Sequence, residues 1–301
     1  MTSGKTLVTT ADSPADPRPA GSDAASIAAA ARRRTQRRKR LVLLGRASLL
    51  ALIIGGWQLL SAWNIIDPFF FGSPSGIAIR LWEWVQRGTP YGSIWLQIWI
   101  TLEESLLGFA AGVTSGVVLG VLLGEIPYLA DVIGPLIKVI NALPRIVLGS
   151  VFVMWLGLGM SSKVLLAAVL VFFVVFFNAF QGVRGVDRNF VANTRILGAS
   201  RLQVIRHVVF PSAMTWIIAS LHVALGFSII GAIVGEFLGA QQGLGLVIAT
   251  AQNTFDANGV FGAMLIIGVL ALSAEALMSM LEKRLLSWQP PSANEPNMPG
   301  I

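Results

Sequence analysis

Between two long apolar runs, 164–183 and 212–238, lies a polar island, residues 185–211, entered through Arg184. No other feature limits the fold as much, because a chain apolar on both sides of such a segment must leave hydrocarbon and re-enter it. The stretch holds Arg184, Arg188, Arg195, Arg201 and Arg206, with Asp187 as its only acid. Phe190, Val191, Thr194 and Leu197, then Leu202, Ile205, Val208 and Val209, recur at helical spacing. Gly198 fits the stop of a first short helix, since glycine enters the left-handed C′ conformation cheaply. Ser200-Arg201-Leu202-Gln203 reads as a capping box opening a second helix. Pro211 is expected to end that helix and begin the next apolar span. The spacing therefore predicts a helix, a glycine elbow and a second short helix between two membrane spans.

Composition supports the membrane reading. The chain is 54% hydrophobic and 12% charged, with mean hydropathy +0.72, which excludes an ordinary soluble domain. Apolar segments fall at about 41–63, 98–124, 132–157 (with a spanning core near 138–158), 164–183, 212–238 and 260–281. Each approaches the ~20 residues a bilayer requires. The expected fold is thus an all-α membrane protein with six transmembrane helices in residues 41–284. Residues 1–40, a basic segment, and the tail 285–301 are expected to be disordered.

The net charge of +7 does not point to nucleic acid, because the basic residues flank apolar spans. Ten of the 22 Lys and Arg precede residue 47, and five lie in the polar island or at its entry. With six spans and both termini inside, inner segments hold seventeen basic residues and outer loops three: Arg80, Arg87 and Lys163. The orientation puts the island in the cytosol. The cluster 32–40 either fixes that topology or binds acidic lipid. The absence of cysteine excludes disulfides and thiolate metal sites, and two histidines make a multi-histidine metal site improbable. Gly4-Lys5-Thr6 has the end of a phosphate-binding loop without its earlier glycine or preceding strand. No other nucleotide-binding motif occurs, so any ATP hydrolysis belongs to a partner chain, and no cofactor is expected.

Within the spans, Gly108, Gly112, Gly116, Gly120 and Gly124 recur every four residues, a stripe for close helix packing, static or moving. Arg145 follows Pro144 in the third segment. It either lines a path suited to an anion or reaches back to the membrane surface. His222, Ser228 and Glu236 are polar residues of the fifth span, and Glu275 lies in the sixth. His222 reads either as a helix–helix hydrogen-bonding group or as a substrate contact. Glu103 and Glu104 are placed at the outer end, within reach of water. Residues 74–87 form an apolar-sided helix with two tryptophans, lying in the interface or packed on the bundle.

Gly198-Ala199-Ser200-Arg201 and Val208-Val209-Phe210-Pro211, with glycine and proline thirteen positions apart, resemble the cytoplasmic loop of inner-membrane permeases of binding-protein-dependent ABC importers. Ala192-Asn193-Thr194 stands where that family carries an acidic-alanine-alanine triplet. Asn141-Ala142-Leu143-Pro144 and Trp155-Leu156-Gly157-Leu158-Gly159 are similar to the taurine, sulfonate, nitrate and pyrimidine branch. Glu236-Phe237-Leu238-Gly239-Ala240, followed by Gly243-Leu244-Gly245, also resembles the family and implies an outer-half position beside the pathway, where the glycines would permit a re-entrant turn.

The resemblance covers roughly 65–285. It implies a type I importer fold with a coupling helix, a periplasmic or extracellular substrate-binding protein and two cytoplasmic ATPase subunits. The loop would dock on the ATPase through Arg195, Leu197, Gly198, Ala199, Ser200, Arg201, Leu202, Ile205 and Pro211. One bundle supplies half a pathway, so a homodimer or a paired permease is expected. The chain is then a transport subunit of the inner membrane rather than an enzyme, and a small sulfonate, nitrate or related organic anion is the implied solute. The alternative is an ion- or proton-coupled secondary transporter using His222, Glu236 and Glu275.

Overall fold

The computed structural model describes residues 20–285, with side chains from residue 37 onward apart from Pro127, Arg188, Arg201, Lys283 and Leu285. Among the described residues every regular element is helical. The chain divides into two units, residues 1–60 and 61–301.

The first unit is dominated by α1 (Ala20–Ala62), one unbroken helix of 43 residues. Its stretch Arg37–Ala62 is long and apolar enough to cross a bilayer. The disorder expected over 1–40 does not hold for 20–40. Alanines at 24, 25 and 28–31, followed by arginines and Lys39, are strong helix formers and carry the helix back from the span. Residues 1–19 and 286–301, also expected to be disordered, lie outside the described residues.

In the second unit the order is α2 (Pro68–Phe71), α3 (Pro74–Arg87), α4 (Ile94–Glu125), α5 (Pro127–Ala142), α6 (Arg145–Leu156), α7 (Met160–Arg184), α8 (Arg188–Ile196), α9 (Arg201–Val204), a π-helical turn (Ile205–Val209), α10 (Phe210–Leu238), α11 (Leu244–Asn253) and α12 (Ala257–Leu285). Four of these, α4, α7, α10 and α12, join α1 as helices that can cross a membrane. The third apolar segment is not one straight span. It is α5 and α6, bent by 90° at Leu143-Pro144. Pro144 pushes Leu143 out of helical geometry and removes a donor, so one helix stops and a new one starts. Counting that pair as one broken span gives six.

The centre of the bundle is α7 held between α4 and α10. All five glycines of the row face α7. A Cβ on Gly108 would strike Ala167, on Gly112 Val171, on Gly116 Val175, on Gly120 Ala179 and on Gly124 Val183. From the other side, Gly231 and Gly235 of α10 lie against Ala167 and Lys163. Without a hydrophobic force between helices in lipid, such close backbone approach is what holds spans together. On the periphery α3 packs against the bundle with one side and leaves its other apolar side open. Ile77 and Trp84 are buried, while Ile79, Trp82 and Val85 are open. Arg80 bonds Asp256 at 3.0 Å, and Ser73 N donates to Asn258 Oδ1, which pins α3 to the start of α12.

Candidate functional site

The polar island folds into a compact appendage at one end of the bundle. Asp187 caps α8 by accepting from Asn189 N at 2.8 Å. α8 ends at Gly198, whose φ of +85° explains the glycine. Gly198 N and Ala199 N close the turn onto the Arg195 and Thr194 carbonyls. The capping box is present. Gln203 Oε1 accepts from Ser200 N at 2.8 Å, and Ser200 Oγ accepts from Gln203 N at 3.4 Å.

Pro211 does not end the second helix. The backbone stays helical from Arg201 to Leu238, widening into π geometry at 205–209, where Phe210 N donates to Ile205 O. A proline lacks the N–H for a helical bond and its ring clashes with the carbonyl four residues earlier. The wider turn shifts the register just before Pro211, so the helix passes through. A push on α9 therefore reaches α10 along continuous backbone.

Two faces of the appendage differ. Val186, Val191, Ala199, Val204 and Val209 pack inward against Val183, Ala213 and Ile217 of α7 and α10. Phe190, Ile196, Leu197 and Leu202 point out, at 66%, 82%, 86% and 73% exposure. Of the expected docking residues, Leu197, Leu202 and Arg195 are on the open face, and Ser200 is an exposed cap. Ala199 packs against the core and Ile205 is half-buried, so neither is an outward anchor. Gly198 and Pro211 act through the backbone, and Arg201 opens α9 with its side chain undescribed. Ile196 is an outward residue that periodicity missed. It is adjacent to Leu197, and only the end of α8 at that point turns both outward.

The four expected pathway residues are not brought together. Arg145 starts α6 at the elbow, its Nη2 donating to Asn141 Oδ1 at 2.9 Å and its guanidinium 5.2 Å from the Phe173 ring. Ser228 is fully buried and donates to Leu225 O, and so faces no cavity within this chain. His222 lies between Glu275 and Glu282 of α12.

Glu236 is also fully enclosed, its carboxylate tying the first turn of α11 to α4. It accepts from Thr101 Oγ1 and Gly245 N, each at 2.6 Å. Gly243, with φ of +111°, donates to Gln97 Oε1, and Leu244 N donates to Thr101 Oγ1. This knot, rather than a cavity-lining loop, is what the Gly-Leu-Gly segment builds. One other expectation fails here. Glu104, expected within reach of water, is 3% exposed, and Lys163, counted among the outer-loop cations, is 1% exposed. Lys163 Nζ turns inward to the Leu158 and Gly159 carbonyls. A cleft of about 290 Å³ does open between α5 and α7, with Asp131, Lys138, Phe177, Phe180 and Arg184 on its wall. None of the four residues singled out from sequence lines it.

Long apolar helices around a glycine-packed centre, with a folded polar appendage on one end, define a multi-pass helical membrane protein. Residues 116–287 match the family described as the inner membrane component of binding-protein-dependent transport systems. The chain belongs to that family and is a permease subunit of an ABC importer for a small solute, not an enzyme. It is 31% identical over 82% of its length to the riboflavin transport system permease protein RibX of Chloroflexus aurantiacus, covering 90% of that protein. It is 28% identical over 79% of its length to the SsuC protein of Bacillus subtilis, named a putative aliphatic sulfonates transport permease, covering 85% of it. The taurine permease protein TauC of Escherichia coli is 26% identical over 79% of this chain and 87% of its own. Among solved structures, the MetNI methionine ABC transporter in inward-facing form shares the fold at TM-score 0.57 and 17% identity, over 64% of this chain and 97% of that one.

Proposed function

We propose that this subunit pairs with a second permease, binds two cytoplasmic ATPase subunits through residues 188–209, and passes a small organic anion delivered by an external binding protein. The observation that carries the docking role is the two-sided appendage. Its inner valines are anchored in the core, while Phe190, Ile196, Leu197 and Leu202 are presented outward. Burying one leucine contributes about 1.5–3 kcal/mol, so this face suits a hydrophobic groove. Arg195 and Arg206 at its margin would orient the encounter. Closure of the ATPase pair would move α8 and α9, and the continuous helix 201–238 would carry the displacement into the bundle. The excess of basic residues on the island side supports cytosolic termini.

An anionic solute is supported by the sulfonate and taurine permeases among the relatives and by the cleft wall, where Lys138 and Arg184 outnumber Asp131. The test is transport in vesicles by Leu197→Asp and Leu202→Asp variants with the partner ATPase present. The docking role requires that uptake is lost, that membrane insertion is intact and that substrate no longer stimulates ATP hydrolysis. Unchanged stimulation would remove the docking role.

A further inference from the structure

Three ionisable groups that the coupling segment does not use meet between α10 and α12. His222 Nδ1 is 2.6 Å from Glu275 Oε1, and its Nε2 is 2.8 Å from Glu282 Oε2. The two glutamates are seven residues apart, about two turns of α12, so the imidazole bridges them like a rung. The carboxylates bond opposite nitrogens of the ring, and no set of three or more metal-ligating side chains converges among the described residues.

Proton counting makes this arrangement informative. An ionised carboxylate only accepts, and a neutral imidazole has a single N–H. With a neutral ring and two carboxylates, one contact would set a nitrogen lone pair against an oxygen lone pair at under 3 Å. Both contacts are hydrogen bonds only if the trio holds one further proton. Imidazole is the more basic partner, with reference values of about 6.5 against about 4.3 for glutamate, so the proton belongs on the ring. An imidazolium also offsets one of two carboxylate charges in a span, where uncompensated charge is costly.

We infer that His222, Glu275 and Glu282 form a proton-binding site in the membrane half nearest the coupling segment, an imidazolium clasped by two carboxylates that ties α10 to α12. α10 packs against α4, α6, α7, α11, α12 and the π turn. Glu104 of α4 and Lys163 of α7 meet it at its far end, around Gly235 and Glu236. Of the others, Glu103 and Glu125 lie on α4. Arg145 of α6 is held by Asn141, Arg184 of α7 lies over Phe180, His207 of the π turn is bonded to Gln203 O beside Arg206, and α11 carries no charge. Lys283 and Arg284 follow Glu282 along α12. Among the described side chains, only the two glutamates are within ion-pair distance of His222. Loss of the proton leaves one bond where there were two and loosens α12 from the helix that continues into the coupling segment.

The chain has two histidines, so ¹⁵N-histidine labelling of a His207→Gln protein in lipid nanodiscs gives one imidazole to observe. At about pH 7.5, a unit above where a free imidazole titrates, the ring nitrogens should both carry protons. Adding Glu275→Gln and Glu282→Gln should return the neutral-ring spectrum. A neutral ring in the parent protein at that pH would overturn the proposal. The tie itself is read from thermal unfolding. The wild-type midpoint should fall as pH rises above neutrality, and His222→Gln should lack that fall. Equal pH profiles of the two proteins would overturn it as well.

Discussion

Replacing Gly112 by alanine tests the glycine seam in numbers. The new Cβ would sit 2.6 Å from Ala168 O, 2.6 Å from Val171 Cβ and 2.7 Å from Val171 Cγ1. Comfortable carbon contacts are about 3.5–4.0 Å, so α4 and α7 must separate by about 1 Å. Val171 is fully buried and cannot swing away, and the carbonyl is fixed by its own helix. Overpacking of this kind costs about 1–3 kcal/mol. Alanine returns about 0.5–1 kcal/mol through helix propensity. The net effect is a loss of about 1–2 kcal/mol. Gly226→Ala is the internal control, since nothing lies within 4 Å of its Cβ position on α10. That variant gains the propensity alone. The two should differ by about 2 kcal/mol, roughly 25-fold in the unfolding equilibrium, when the purified chain is unfolded reversibly in mixed micelles. Equal stability of Gly112→Ala and Gly226→Ala would show that α4 and α7 are not in contact along this row.

Other consequences can be checked separately. Thr101→Val removes the acceptor of Leu244 N–H and the donor to Glu236, and should destabilise the chain by about 2–6 kcal/mol, two buried polar groups at about 1–3 each. Faster hydrogen exchange at 243–245 would be its local mark. Ser200→Ala should cost about 0.5–2 kcal/mol of local stability. Lowered amide protection over 201–204, with the spans unaffected, would report it. Pro144→Ala should relax the elbow between α5 and α6 and lengthen the distance between spin labels at its two ends. An unchanged distance would mean that something other than proline sets the bend.

The spans were legible because apolar runs of bilayer length have few alternatives, and the first half of the polar island because glycine and capping box each have one strong local meaning. Gly198 and Ser200–Gln203 fold as their chemistry dictates. Pro211 was misread because a single local rule, proline as helix breaker, meets a second solution in the π turn. The polar residues inside the spans were the least legible. Glu236 looks like a functional charge in sequence and Lys163 like an outer-loop cation, but they satisfy backbone groups at the start of α11 and just before α7, partners that exist only once the chain is folded. Glu282 gives no signal in sequence, since nothing in its spacing indicates that His222 of another helix reaches it. Ile196 was missed for a related reason, the outward turn at the end of α8.

The absence of cysteine makes the decisive measurement direct. Leu197→Cys places one thiol on the most exposed part of the appendage. It should react with a membrane-impermeant maleimide in inside-out vesicles, be shielded when the ATPase is added, and cross-link to that ATPase. Labelling from the outside of intact cells, or labelling by lipid-soluble reagents alone, would contradict the account.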